Sequence, residues 1–401
     1  MTSGSSALWQ RTASSVAAAV RSGELSPVTV VESAVERLAL VNPVLQAFCT
    51  TDVDAARAQA SSLAQRIARG ESVGALAGVP VGVKDLIATR GLLTTSGSVA
   101  YRDFVPDEDD IVVERLRAAD AIILGKTNTS EFGYTATGRN PLFPASRNPW
   151  DTERSPGGSS AGSAAAVAGG IVPLALGSDG GGSIRIPASF CGLVGLKASM
   201  GRVPLYPGCR DERWPGMSGW ESIEHIGPLT RTVADAALML SVIAGPDPRD
   251  RHSIPCSDID WRAAPQRSVR GLRLGYTADL GFASADAEVL DIVERLLPGL
   301  GAATGSEVQP LTLDWPDLGP TFDAIVALET DLAGLRGLIA AYPGQLSAGV
   351  LRTAERAWTA DDLNRAVIDR KAACNRMWRL MGSHDVLLTP SVAVPPFAWD
   401  A

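Results

Sequence analysis

Two serine-bearing glycine runs, GGSSAGS at 157–163 and SDGGGSIR at 178–185, enclose an apolar segment, AAAVAGGIVPLAL at 164–176. Glycine loses more backbone freedom on ordering than any other residue, so a fold that keeps this density needs the backbone to approach something closely. The core-like segment between the runs argues against a flexible Gly/Ser linker. Ser159, Ser160 and Ser183 are therefore candidate nucleophiles or proton relays. The triplet Gly180, Gly181 and Gly182 before Ser183 can aim consecutive N–H groups at a developing oxyanion.

Composition narrows what such a site can serve. Of 401 residues, 45% are hydrophobic and 20% charged, which is ordinary for a globular chain with a sizeable core. A net charge of −8, with no Lys/Arg run longer than a dipeptide, offers no footprint for a phosphate backbone, so no nucleic-acid partner is expected. Neither a leader in the first fifteen residues nor a long apolar run is legible; the expectation is a cytoplasmic chain without membrane contact. Cys49, Cys191, Cys209, Cys256 and Cys374 are scattered without CxxC spacing, which predicts buried thiols rather than disulfides or a metal site. GKT at 125–127 lacks the upstream glycine of a P-loop, Asp120 standing there, so no nucleotide is expected and no cofactor is implied.

Periodicity predicts helices within 13–66, a buried Val-rich strand in LAGVPVGVKDLI ending near Lys84, then helix, turn and strand across 109–128. On a strand Lys84 and Asp85 point apart. A short helix over 163–168, a strand over 171–176, a loop over 177–183 and a strand over 194–199 follow. Residues 201–227, rich in Gly, Pro and Trp, read as a long irregular loop of the kind that carries function. Beyond it come a helix capped by Thr230 or Thr232, a strand in GLRLGYT, a helix from 286, mainly helix over 321–381 and a last strand in HDVLLTP. Alternating strands and helices predict one three-layer α/β/α domain over 1–401, with a mixed, largely parallel central sheet flanked by helices.

Gly158 to Gly162 also fits GxSxG, which would make Ser160 a nucleophile on a strand-to-helix elbow. The polar, proline-containing RNPWDTERSP before it cannot be that strand. Of three histidines, His225, His252 and His384, none stands in a recognisable signature. Lysine is the other available base, provided that desolvation keeps it neutral. Lys84 on its buried strand meets that condition, and an intervening serine hydroxyl can pass the proton because it both donates and accepts.

VGVKD, GKTNTSEFG, NPLF, RNPWD, SPGGSSAGSAAAVA, GSDGGGSIRIPASFCGLVGLK and HIGPLTRTVADAA together resemble the amidase signature family of serine hydrolases, from about residue 14 to 395. The resemblance implies that Ser183 is the acyl-enzyme nucleophile, Ser159 a relay preceded by a cis peptide bond, and Lys84 the base. It also implies oxyanion N–H groups from Gly180, Gly181, Gly182 and Ser183, with Asp179 and Arg185 bracing the loop and Ser160 in support. The substrate would be a small amide. Gly133 and Tyr134, and Trp214 and Trp220 in the long loop, are candidate pocket residues; ordinary packing explains them equally. Departures are Gly180 where Thr is frequent, Asp120 at a left-handed turn where glycine is usual, and an end at Ala401 where similar proteins continue. The last predicts an incomplete sheet and, through its open edge, a homodimer or an aggregating chain. Two alternatives stand beside the amidase reading: the glutaminase subunit of a tRNA-dependent amidotransferase, against which SIRIP replaces SIRQP, and a truncated, inactive binding protein.

Overall fold

The computed structural model describes residues 7–208, 211–217 and 220–401. Cys209 and the first six residues, on which the reading of no leader partly rests, lie outside the described residues. Where the sequence suggests one domain, the chain groups into two compact units. The first comprises the described residues up to Pro265 with Asp331–Arg352 and Ala398–Ala401; the second comprises Gln266–Thr330 and Thr353–Phe397.

In the first unit, Thr12 Oγ1 accepts the Ser15 N–H at 3.2 Å to cap α1 (Ala13–Arg21). Ser26, followed by Pro27 in the first turn, opens α2 (Pro27–Leu45). Then come β1 (Phe48–Thr51), α3 (Val53–Ala68), β2 (Pro80–Lys84), α4 (Ile111–Ala118), β3 (Ile122–Thr127), α5 (Ala161–Ala168), β4 (Leu174–Ser178), α6 (Arg185–Cys191), β5 (Val194–Gly195), β6 (Ile226–Thr230) and α7 (Val233–Ile243), the last capped by Thr232. The sheet order is β1-β3-β2-β4-β6-β5. This is a mixed α/β sheet: β3, β2 and β4 run parallel, while β1, β6 and β5 join antiparallel. Two strands of this unit escape the sequence reading. FCTT of β1 is too short to interrupt the helical pattern around it, and β6 carries Gly227 and Pro228, which read as loop.

Strand parity sorts the layers. Val81, Val83, Ile123, Leu174 and Leu176 pack with residues of α1, α4 and α7. Phe48, Ile122, Leu124 and Ala175 pack on the other face with α2, α3 and α5. A bulge breaks this alternation: Val81 pairs with Ile123 but Gly82 pairs with Gly125, leaving Leu124 over. Lys126 consequently stands opposite Val83, and Thr127 stands opposite Lys84. The glycine of GKT is required by β1, since a Cβ at Gly125 would lie 2.2 Å from the Thr50 carbonyl oxygen. Asp120 is left-handed (φ 62°), and its carboxylate anchors that turn by accepting Gly74 N–H at 2.6 Å and Arg66 Nη1 at 2.5 Å.

The second unit holds β7 (Leu274–Tyr276) between β8 (Val308–Pro310) and β9 (Val386–Leu388), all parallel. Its helices are α8 (Ala287–Glu294), α9 (Leu297–Thr304), α10 (Gly319–Glu329) and, after α11 (Leu332–Ala341) and α12 (Ala348–Glu355), the long α13 (Ala360–Met381). The thiols only partly match the buried expectation. Cys191 and Cys256 are buried and Cys49 half-buried, whereas Cys374 faces solvent on α13.

Where α5 crosses the sheet, a Cβ at Gly162 would come within 2.2 Å of both the Ala47 oxygen and the Asn128 nitrogen. Gly162→Ala should therefore destabilise the chain by about 1–3 kcal/mol, the usual cost of overpacking, measured as a lower urea midpoint at unchanged slope. A wild-type midpoint would mean that this crossing is loose.

Candidate active site

Lys84 ends β2 with no exposed surface, and its Nζ donates to Ser159 Oγ at 2.7 Å, to Ser178 Oγ at 2.9 Å and to the Ser178 carbonyl at 3.3 Å. Burial pushes this amine down to about 8 from its usual 10.5, against the raising fields of Glu224 and Asp179. An appreciable neutral fraction near physiological pH follows, and only neutral lysine accepts a proton. Asp85, the next residue, turns away: its carboxylate accepts the Thr95 N–H and the Thr95 hydroxyl, the latter at 2.5 Å.

The two serine runs meet in space. The Ser160 N–H donates to the Ser183 carbonyl at 3.1 Å, and the Ser130 N–H donates to the Ser159 carbonyl at 3.3 Å. The Gly158–Ser159 peptide bond is cis. Ser160 Oγ donates to the Ser178 carbonyl at 3.2 Å and accepts the Ser178 N–H at 3.3 Å, so this fully buried hydroxyl fastens α5 to the end of β4. No strand precedes it, and the elbow reading lacks its frame. His225 bonds the Ile223 carbonyl and Lys197, while His384 bonds Gln309 and the Leu380 carbonyl.

Asp179 organises the glycine triplet. Its buried carboxylate accepts Gly182 N–H at 2.7 Å, Ile184 N–H at 3.1 Å, and the Arg185 Nε and Nη2 at 2.9 and 2.8 Å. Burial alone would raise this carboxyl, but the Arg185 guanidinium and the backbone N–H groups outweigh it and hold the value below the ordinary one. The Gly182 N–H is thereby occupied and does not join the expected row of oxyanion donors. Those of Gly180, Gly181 and Ser183 make no hydrogen bond among the described residues. Ser183 is half-buried and Gly181 exposed, so this edge is open to solvent.

Above the serines, a Cβ at Gly133 (φ 80°) would lie 3.4 Å from Ser159 Oγ and 3.6 Å from the Trp220 ring. One at Gly180 would lie 2.9 Å from Glu224 Oε2 and 3.1 Å from that same ring. Trp220, stacked edge-on with Tyr134, thus roofs both glycines, whereas Trp214 belongs to an aromatic cluster with Tyr101 and Phe104. Sequence reasoning missed Ser178, Glu224 and a second buried lysine, Lys126. Lys126 donates to the Ile87 carbonyl and to Thr89 Oγ1, and burial pushes it down to about 8 against the raising field of Asp85. Ser178 was legible as the serine opening SDGGGS; Glu224, inside an aperiodic loop, left no signal.

The central parallel strand of a mixed sheet thus brings a buried lysine against serines of a glycine-rich crossover. The chain belongs to the Amidase family, whose model matches residues 29–401. It is 41% identical over 299 residues to a Glutamyl-tRNA(Gln) amidotransferase subunit of Carboxydothermus hydrogenoformans, covering 74% of this chain and 60% of that one. To the corresponding subunit of Synechococcus sp. (strain RCC307) it is 46% identical over 271 residues, covering 68% and 54%. The chain thus spans little more than half the length of these relatives. A bacterial aryl acylamidase of the amidase signature family superposes with a TM-score of 0.90 at 30% identity, covering 98% of this chain and 82% of that one. Among the described residues, no helix is long and apolar enough to cross a membrane.

The Asp179–Arg185 pair gives a prediction independent of turnover. Because the folded Asp179 value is depressed, its stabilisation is complete above about pH 4, the range of an unfolded carboxyl, and is lost as pH falls through the folded value. Asp179→Asn should cost about 1–3 kcal/mol at pH 7 in urea melts, with the gap to wild type closing in acid. A gap that is equal at pH 7 and in acid would contradict the pairing.

Proposed function

We propose that the chain hydrolyses carbon–nitrogen amide bonds through a Ser183 acyl-enzyme, with Ser159 as relay and Lys84 as base. The observation that carries this is the 2.7 Å bond from the fully buried Lys84 Nζ to Ser159 Oγ, beside the Ser160–Ser183 backbone bond that brings the Gly triplet alongside. Ser183 Oγ attacks the amide carbon while its proton passes to Ser159 Oγ, whose own proton moves to Lys84 Nζ. The free N–H groups of Gly180, Gly181 and Ser183 are the available donors to the oxyanion. Collapse expels the amine, which takes a proton back along the same route. Water then attacks the Ser183 ester, giving the carboxylic acid and the free hydroxyl.

The curated relatives favour a second reading, in which the amide is the side chain of glutamine and the chain works within an amidotransferase complex. Ile186 in SIRIP, where Gln is usual in such subunits, and the superposition on an aryl acylamidase favour free small amides instead. Ammonia or amine release from a panel of small amides, measured beside glutamine, separates the two. Turnover of glutamine alone would install the second reading.

A fluorophosphonate should label Ser183, located by mass spectrometry, and Ser183→Ala should lower kcat/KM by several orders of magnitude while Ser160→Ala leaves measurable turnover. In wild type, kcat/KM should rise with pH up to about 8 as the Lys84 site loses its proton, and Lys84→Met should lose about two to four orders of magnitude. Label on Ser160 with Ser183 untouched would overturn the assignment.

A further inference from the structure

Against Ser178 lies a cavity of about 50 Å³, whose described lining includes Leu86, Ile87, Phe132, Leu205, Met217 and Ile226 on its apolar side. Ser178, which bonds Lys84, and the Trp220 and Glu224 that overhang Gly180 belong to the same wall. The space suits a short arm rather than a large ring system. Its polar lining is peculiar. Ser96 Oγ, Asp110 Oδ2 and Glu224 Oε2 come from three separate segments, are buried, and have no hydrogen-bond partner, although native chains satisfy nearly all such atoms. Ser96 and Asp110 have no exposed surface at all.

The backbone around this cavity is also unusual. Ser96 (φ 53°), Phe132 (φ 49°) and Trp220 (φ 58°) are left-handed residues other than glycine, and all three line it. Strain of this kind costs about 1–3 kcal/mol per residue and persists where the surroundings hold a ligand site in place. Asp110 explains only half of itself: Oδ1 caps α4 by accepting the Val112 N–H at 3.1 Å, which leaves Oδ2 turned to the cavity.

Charge selects the ligand. The described lining contains two carboxyls and no basic side chain, so a carboxylate-bearing arm is disfavoured. An uncharged alkyl arm would leave three oxygens unsatisfied. A group with several N–H donors and a positive charge satisfies them at once.

We propose that this cavity recognises the end of the substrate, an amide bearing a short apolar arm that terminates in an ammonium group, with Asp110, Ser96 and Glu224 as its acceptors. The inference rests on the amide-hydrolase reading for the identity of the ligand as substrate. Burial pushes Asp110 up to about 8 against the lowering field of Lys126, and raises Glu224 against that of Lys84. Glutamine carries a carboxylate beside its ammonium, and the described lining itself offers that carboxylate no basic side chain.

The test compares propylammonium and butylammonium with the corresponding alcohols and with butyrate, using the full chain. Two readouts are taken: the shift in Tm, which needs no catalysis, and protection of Ser183 from a fluorophosphonate. Ammonium ions should raise Tm and protect at concentrations about tenfold lower than the alcohols, with butyrate weakest. Asp110→Asn keeps an oxygen for the Val112 cap and should abolish that preference, as should Ser96→Ala in part if the first variant folds poorly. Alcohols or butyrate matching the ammonium ions in both readouts would overturn the inference while leaving the hydrolase reading intact. An ammonium-dependent Tm shift without any serine labelling would instead support the cavity and sink the hydrolase reading.

Discussion

Burying the Lys84 amine is the constraint on which the rest of the site depends. A lysine without exposed surface loses its hydration, and three hydrogen bonds to Ser159 and Ser178 are what the fold returns to it. Those partners exist only because β2 lies between β3 and β4, with α5 crossing against their C-terminal ends. Ser160 then holds α5 to β4, and its backbone holds the Ser183 loop. The same desolvation that would cost stability gives the amine a value near 8. Structure and proposed chemistry therefore share one cause.

The Ser183 loop is held by a different principle. Three glycines in succession cannot fix their own conformation, so a fully buried carboxylate does it for them. Asp179 gathers N–H groups from Gly182 and Ile184 and is itself held by a bidentate Arg185. The arrangement spends one of the expected donors, Gly182, on support and leaves the neighbours free. From the sequence the N–H groups of the triplet are indistinguishable; only the position of Asp179 separates them.

Much of this was legible beforehand because it rests on regular periodicity. A Val-rich strand ending in lysine, helix and strand across 109–128, and two serine-bearing glycine runs report where side chains point and where backbone must come close. What stayed hidden lies where that logic stops. The Leu124 bulge changes the parity of β3, so the burial of Lys126 near Asp85 cannot be counted out from the chain. β6 is disguised by Gly227 and Pro228. Glu224 and Ser96 sit in irregular segments with no period to fix their facing, and Asp110 looks like an ordinary helix cap until its second oxygen is placed.

The central claim is that the fold keeps the Lys84 amine close to neutral. The chain has only four lysines, at 84, 126, 197 and 371, so the amines can be followed individually by NMR with isotopically labelled lysine, and Lys84→Met identifies the resonance. The account predicts a Lys84 midpoint near 8, as burial requires. A midpoint at the solvated value of about 10.4 would contradict it, because a lysine charged throughout the neutral range cannot take a proton from Ser159.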